Sequence, residues 1–487
     1  MATESLDTTA ADGSPTAGVG RLAGGTLGTA QIVFFVIAAA SPLTIVLSTG
    51  PLSLRVGGLG APGVMLATGV VLLLFAAGFT AMSKHVTEAG AFYAYVTRGL
   101  GPTAGAGAAM MTMAAYGVCV IGFVGYIGVF AQGSLGAVFD IDVPWQVCSL
   151  VAAAVVAIVG YCQVDVGAKV LMVLVTLEVA VILVLIVAVL AQGGPESPSA
   201  APLSPDNVFF ASGTGTLFLL AFGAYIGVEG TAIYSEEAAK PERTIPRATY
   251  IAVGFLAVFY AVSFWVVIYG FGTKGALAEA QGDGFLDMVF AQADAFVGGA
   301  LVTALRLLIV TSFLATIIAF HNACTRYMFS LGRSGMLPQA LARTHPRMAS
   351  PHCASAVLSV ITFVVVALAM IVGLDPFLEL GTWLYASGVI GVVAAQALCS
   401  ISVVMFFLSD RRGHGVVRVV VAPLLGFIGL AIALYLMANN FSLLSGYTEF
   451  LPNAIMIGAM PAAFVLGAVL YRFRLGRSAT GQRAEVG

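Results

Sequence analysis

Residues 209–248, FFASGTGTLFLLAFGAYIGVEGTAIYSEEAAKPERTIPRA, constrain this chain more than any other stretch. The run is apolar and long enough to cross a bilayer. It is also interrupted by Gly213, Gly215, Gly223, Gly227 and Gly230, and it carries Glu229 where an ionised group is costly. A segment crossing lipid has to satisfy its own backbone N–H and C=O groups. Irregular backbone at that depth survives only where it is buried in protein or lines a cavity. The stretch therefore predicts a broken transmembrane helix.

Of the 487 residues, 60% are hydrophobic and 9% charged, with a mean hydropathy of +1.01. Soluble domains average about 25% charged. This much apolar surface cannot be hidden in water, so the lipid bilayer is the expected solvent. A net charge of −2 gives no case for a nucleic-acid partner. Cys119, Cys148, Cys162, Cys324, Cys353 and Cys399 lie in or beside apolar runs, without metal-ligand spacing. They read as buried free thiols, and no metal or cofactor is expected. Residues 1–30 are rich in Ala, Gly and Thr and lack the compact apolar core of a secretory signal. They read as a disordered cytoplasmic tail.

Twelve runs are long enough to span, near 31–53, 61–82, 103–132, 145–161, 167–191, 208–234, 248–271, 297–325, 353–373, 377–408, 416–438 and 453–472. The expected fold class is an all-α integral membrane protein with twelve transmembrane helices. With the N-terminus inside, only Arg55 and Lys274 fall outside and Arg306 falls within a span; every other Lys and Arg is cytoplasmic. That bias places both termini in the cytoplasm.

The first span holds a second interruption, Ser41-Pro42. Proline removes a backbone donor and disfavours helix at the residue before it. The first and sixth spans hold corresponding places if spans 1–5 and 6–10 are repeats. Broken helices in corresponding places point to the binding site of a secondary transporter. No residue-level identity links the halves, so the repeat is inferred from the interruptions.

Three stretches carry a family likeness. The first is Thr87-Glu88-Ala89-Gly90-Ala91-Phe92-Tyr93-Ala94-Tyr95 with Arg98-Gly99-Leu100-Gly101. The second is Phe222-Gly223-Ala224-Tyr225-Ile226-Gly227-Val228-Glu229 with Glu236-Glu237, Lys240-Pro241 and Ile245-Pro246-Arg247-Ala248. The third is Asn322, Arg326 and Leu331-Gly332-Arg333-Ser334-Gly335-Met336-Leu337-Pro338. In order and spacing, over about residues 30–475, the chain resembles the amino acid–polyamine–organocation (APC) permeases. The stretches are similar to that family's second-to-third helix loop, its sixth helix and exit, and the end of its eighth helix. The resemblance implies a five-plus-five inverted-repeat, leucine-transporter-like fold with two additional C-terminal helices. It divides the chain into a tail at 1–30, a ten-helix transport core at 31–410, two further helices at 411–475 and a cytoplasmic tail at 476–487.

The resemblance also implies a substrate held between the two breaks, at Ala40, Ser41, Pro42, Leu43 and Thr44 and at Phe222, Gly223, Ala224 and Tyr225. A broken helix offers unpaired N–H groups, at a positive dipole end, to an anion. Leu43 and Thr44 have such groups; Pro42 does not. The family's first break is usually Gly-Ser-Gly-like and holds the substrate carboxylate. Ala40-Ser41-Pro42 departs from that pattern and is closer to members that take amines or polyamines. Gly223 stands where the family often has a gating aromatic. Either Phe222 or Tyr225 takes that role, or the pocket is larger there.

Glu229 and Glu178 are the carboxylates inside apolar runs, where such groups face a cavity or a partner. The resemblance gives Glu229 a role coupling the substrate site to the intracellular gate; a structural hydrogen bond to the first helix is the plainer reading. Glu178 is similar in place to a lysine of proton-coupled relatives, whose ammonium stands in for a sodium ion. A carboxyl in a dry site is able to bind and release a coupling proton; a structural hydrogen bond is equally open. Sodium coupling would draw on Ser41 with Thr311, Ser312 and Thr316. Tyr116, Trp383 and Tyr385 either line the pocket or anchor at the interface. Arg306 snorkels or pairs with an acid, and His321 reads as structural. Segment 236–247 reads as an inner gate or a solvated loop.

No phosphate-binding Gly-x-x-x-x-Gly-Lys-Ser/Thr loop is present, which argues against an ATP-driven pump. Nothing suggests covalent catalysis, so an enzyme is not expected. The expected activity is import of a small amino acid or related amine across the cytoplasmic membrane, by proton symport with alternating access, as a monomer or homodimer. The alternatives are an amino acid or polyamine exchanger and a metabolite-sensing membrane receptor. The receptor would be expected to carry a signalling domain. A channel would need a continuous polar face, which the spans lack.

Overall fold

A computed structural model describes residues 28–86, 92–162, 168–235, 238, 240–345 and 350–484. The N-terminal tail, Thr87–Ala91 of the first motif and Glu236-Glu237 of the second lie outside the described residues. Among those described, every extended element is a helix. In chain order these are α1 Thr29–Ala40, α2 Gly50–Gly57, α3 Ala61–Met82, α4 Phe92–Leu100, α5 Pro102–Phe139, α6 Trp145–Cys162, α7 Ala168–Gln192 and α8 Thr214–Ala224. They continue with α9 Pro241–Phe271, α10 Thr273–Gln281, α11 Met288–Phe296, α12 Gly299–Arg333, α13 His352–Val372, α14 Thr382–Ser409, α15 Ala422–Asn439 and α16 Phe450–Ala484.

Ten segments of the described residues are long and apolar enough to cross a membrane. The difference from the twelve expected arises at the turn between the first two expected spans and at the sixth. Residues Thr29–Met82 run as one helical stretch of 54 residues. Straightened, that would reach about 80 Å, against a hydrocarbon core of about 30 Å. Gly58, at φ 77°, ends α2 and turns the chain into α3. The sixth expected span is cut into pieces too short to cross unaided, α8 and a 3-10 turn at Val228–Ser235.

α5 is the central post, packed against α6, α12, α14 and α16. Small residues allow the approach, as expected where lipid supplies no hydrophobic drive between helices. A Cβ on Gly122 would stand 2.8 Å from the Gly381 carbonyl, and one on Gly388 would stand 2.3 Å from Cys119 Sγ. α16 instead exposes Phe450, Leu451, Ile455, Val465 and Leu466. An apolar helix left this open faces lipid.

The segment between α9 and α12, outside the twelve expected spans, contains α10 and α11. Arg55 of α2 fastens it. Its guanidinium donates to the carbonyls of Ala280 (3.2 Å) and Gly282 (3.0 Å) and lies 4.6 Å over the Phe285 ring. Gln281 returns a bond to the Arg55 carbonyl at 2.8 Å. Arg306 resolves as the acid-paired alternative: it bonds Asp287 at 2.7 Å and lies 3.8 Å over Phe290.

Candidate functional site

The first break is a single residue wide. α1 ends at Ala40, Ser41 adopts φ 44° and ψ 71°, and helix resumes at Pro42. Proline suits that restart, because its missing N–H is one the first helical turn leaves unpaired anyway. A left-handed serine is uncommon and holds only where its surroundings fix it. Here the hydroxyl does so: Ser41 Oγ donates to the Ala38 carbonyl at 3.0 Å and is hydrogen-bonded to Thr316 Oγ1 of α12. One turn on, Thr44 Oγ1 donates to Ser312 Oγ at 2.9 Å. Two of the three hydroxyls named on α12 therefore meet the break. The third, Thr311, is exposed and bonds the Leu308 carbonyl of its own helix.

Glu178 of α7 stands at this same break, 4% exposed. Its carboxyl faces the Leu43 amide and the Ser312 hydroxyl. Its Oε2 is buried without a hydrogen-bond partner among the described residues. The amide expected to meet a substrate anion is thus met by a carboxyl of the protein itself. This bears on the reading of the Ala40-Ser41-Pro42 break, because a helix start that faces an ionised carboxyl is poorly suited to a second anion.

The sixth break begins later than the sequence suggests. Phe222, Gly223 and Ala224 belong to the last turn of α8, and the turn proper is Tyr225–Gly227. The tightening is visible in the bonds from the Tyr225, Ile226 and Val228 amides to the Phe222, Gly223 and Tyr225 carbonyls, all 3.2 Å and all three residues back. Gly227 takes φ 111°, a region nearly confined to glycine. The inner piece, Val228–Ser235, is 3-10 rather than α-helical. The outer piece starts at Thr214, not Phe209, because Gly213 is pressed against α2: a Cβ there would stand 2.5 Å from the Gly57 Cα.

The two breaks adjoin. A Cβ on Gly227 would lie 2.9 Å from the Ala39 Cβ. Tyr260 of α9 bridges them: its hydroxyl donates to the Ala40 carbonyl at 3.1 Å, and its ring meets Tyr225 edge-on at 5.8 Å. Ala40, Ser41, Leu43, Thr44, Phe222, Ala224, Tyr225, Glu178 and Glu229 are all under 5% exposed, so the site is closed in this conformation. Tyr225 is committed elsewhere, donating to the Met65 carbonyl of α3 at 2.8 Å. The space in front of Gly223 is filled by Tyr385 of α14. Neither Phe222 nor Tyr225 supplies that aromatic, and the pocket is not enlarged there.

Glu229 is bonded not to the first helix but to the third expected span. Tyr116 of α5 donates to Oε1 at 2.6 Å, and the Gly227 amide donates to Oε2 at 3.1 Å. Tyr116 also stacks on Tyr327 at 6.1 Å. Of the remaining sequence candidates, Trp383 donates Nε1 to the Ser445 carbonyl at 3.0 Å. His321 Nε2 pairs with Ser355 Oγ at 2.9 Å, away from both breaks. Among the described residues no group of three or more His, Cys, Asp or Glu is placed to hold a metal ion. Tyr260 had no distinguishing signal in sequence; one tyrosine in an apolar span is unremarked until its hydroxyl is seen to meet a broken helix.

A family model described as amino acid permease matches residues 31–473. The methylthioribose transporter of Bacillus subtilis is 25% identical over 309 residues, 63% of this chain and 61% of that one. The cationic amino acid transporter 7, chloroplastic, of Arabidopsis thaliana is 25% identical over 341 residues, 64% of this chain and 54% of its own. The branched-chain amino acid permease BcaP of Lactococcus lactis subsp. cremoris is 25% identical over 307 residues, 61% of each chain. The chain therefore spans less than two thirds of the length of each of these relatives.

Proposed function

The chain belongs to the amino acid permease family, and from that premise we propose that it is a secondary active transporter importing a small amino acid or related amine, not an enzyme. The observation that carries this is the meeting of two interrupted helices, Gly227 against Ala39, around backbone that lipid would not tolerate. In this reading the chain crosses the cytoplasmic membrane twelve times, as a five-plus-five inverted repeat followed by α15 and α16, with both termini cytoplasmic. Substrate sits between Ala40–Thr44 and Phe222–Tyr225, and access alternates between the two sides.

Glu178 carries the coupling proton. Its neutral form leaves the Leu43 amide free for an anionic group of the substrate; its ionised form competes for that amide. Binding at the first break then depends on the proton, which is the linkage symport requires. Glu229, held by Tyr116 and the Gly227 amide, transmits the state of the sixth break to α5. The same geometry permits exchange of one amine for another, in which Glu178 keeps a fixed charge.

The test is uptake into proteoliposomes of L-leucine, L-arginine and putrescine under an inward proton gradient. Accumulation that collapses with the gradient supports symport. Uptake indifferent to the gradient and accelerated by internal substrate replaces symport with exchange. Replacing sodium by choline separates both from sodium coupling through the Ser41, Thr44, Ser312 and Thr316 hydroxyls. Failure of all three compounds to enter under any condition would overturn the substrate class.

A further inference from the structure

Tyr116, Tyr126, Tyr225, Tyr260 and Tyr385 are all buried, and four of their hydroxyls have partners. Tyr116 bonds Glu229, Tyr126 bonds Thr382 Oγ1 at 3.0 Å, Tyr225 bonds Met65 and Tyr260 bonds Ala40. Tyr385 is different: it is 3% exposed, and its hydroxyl is buried with no hydrogen-bond partner among the described residues. A buried hydroxyl left unpaired is unfavourable, so a group in that position in the empty protein is expected to be paired in some other state.

Its position says what that state holds. A Cβ on Gly223 would stand 2.1 Å from the Tyr385 hydroxyl oxygen and 2.6 Å from the ring carbon bearing it. Gly223 is glycine because the phenol occupies the volume a side chain would take. The ring is fixed in place by Phe123 (5.5 Å) and Tyr126 (6.2 Å), so the hydroxyl is delivered to one spot rather than swept through several. That spot is the last turn of α8, where the helix dipole ends negative. The Phe222 carbonyl there accepts the Tyr225 amide, and the Gly223 carbonyl accepts the Tyr225 and Ile226 amides. A buried hydroxyl oxygen without a partner, at the negative end of a helix, is an acceptor suited to a cationic donor.

We propose that Tyr385 is a specificity-determining residue that accepts a hydrogen bond from the ammonium group of the substrate, completing a subsite whose other wall is the end of α8 at Phe222–Ala224. The assignment rests on the transport reading and deepens it, because it gives the amine a side-chain partner separate from the carboxyl of Glu178 and the Leu43 amide. Tyr385 reaches the substrate from a helix outside both interruptions, so selectivity can change at position 385 without disturbing either broken helix.

The test is thermal stability of the purified protein with L-leucine, L-arginine and putrescine as probes, in wild type and Tyr385→Phe. The phenylalanine keeps the ring and removes only the unpaired oxygen, so the ligand-free melting temperature is expected to hold or rise. The apparent affinity for whichever probe stabilises the wild type is expected to fall about tenfold. Gly223→Ala pushes the phenol aside and is expected to weaken the same probe by at least as much. Wild-type affinity in Tyr385→Phe would overturn the assignment while leaving the transport reading intact. A wild type stabilised by none of the three probes would overturn the proposed substrate class and this assignment with it.

Discussion

At the scale of single residues, the proposed mechanism rests on two carboxyls buried within apolar runs. Glu178→Gln keeps the shape of the side chain and removes its ability to change charge. Its uptake is expected to lose most of its pH dependence between pH 5.5 and 7.5; a profile unchanged from wild type would take Glu178 out of the coupling scheme. Glu229→Gln retains an acceptor for Tyr116, so expression is expected to hold while turnover falls. Tyr116→Phe leaves Oε1 of Glu229 unpaired in a dry setting and is expected to destabilise by about 1–3 kcal/mol, read as a lower melting temperature in detergent. Both carboxyls were legible in the sequence, because a charged letter in an apolar run is conspicuous. Their partners were not. Tyr116 lies 113 residues from Glu229, and the Ser41–Thr316 bond closes 275 residues. Spacing along a helix fixes which residues share a face, and carries nothing about which distant face is brought to meet it.

At the scale of an element, the sixth span was legible as broken, and its limits were not. Glycine content marks where a helix is weak, but tertiary contacts decide where it gives way. Gly223 reads as a break and is helical, because the phenol of Tyr385 needs the missing side chain rather than an unusual backbone angle. Gly227 is the residue that takes the strained angle. Gly227→Ala meets two obstacles, φ 111° and a contact of 2.9 Å with the Ala39 Cβ. It is expected to lower stability by about 1–3 kcal/mol. Ala39→Gly in the same chain relieves the contact and not the angle, so it is expected to restore only part of the loss. Full restoration would show that crowding, not backbone conformation, selects glycine there. The first span shows the converse. Pro42 was legible as an interruption, yet the break is confined to Ser41 because proline is at home in the first turn of a helix.

At the scale of the whole molecule, a pair of histidines ties distant parts of the chain together outside the spans. His85, just past α3, lies with its Nε2 3.2 Å from the Nε2 of His414, between α14 and α15. Burial is the main cause that holds both below the ordinary histidine value. Arg412 and Lys84 add to it at His85, against Asp410 and Glu242; Arg418, His85 and Lys84 add to it at His414. In the unfolded chain each ring takes a proton near its ordinary pKa, whereas the folded protein resists. The stability is therefore present above about pH 6.5 and is lost as pH falls through the lowered folded values. The shared hydrogen bond adds to the effect, since two protonated rings have no acceptor between them. The melting temperature is expected to fall between pH 7.5 and pH 5.5, and to fall less in His85→Gln. An equal fall in the variant would assign the acid sensitivity to other groups. No motif marked this pair, because each histidine alone reads as a loop residue.

The clasp of Arg55 on the segment at 280–285 has a consequence for anything that binds the protein from that side. α2 continues the first broken helix, so under the proposed alternating access a swing of that helix would drag the α10–α11 segment or release it. An antibody fragment that grips the clasped segment would bias the swing without touching substrate. Coupling of this kind is reciprocal, and a ligand that favours the released form must loosen the antibody by the same factor. A surface of the molecule far from the pocket would then report on whether the pocket is filled.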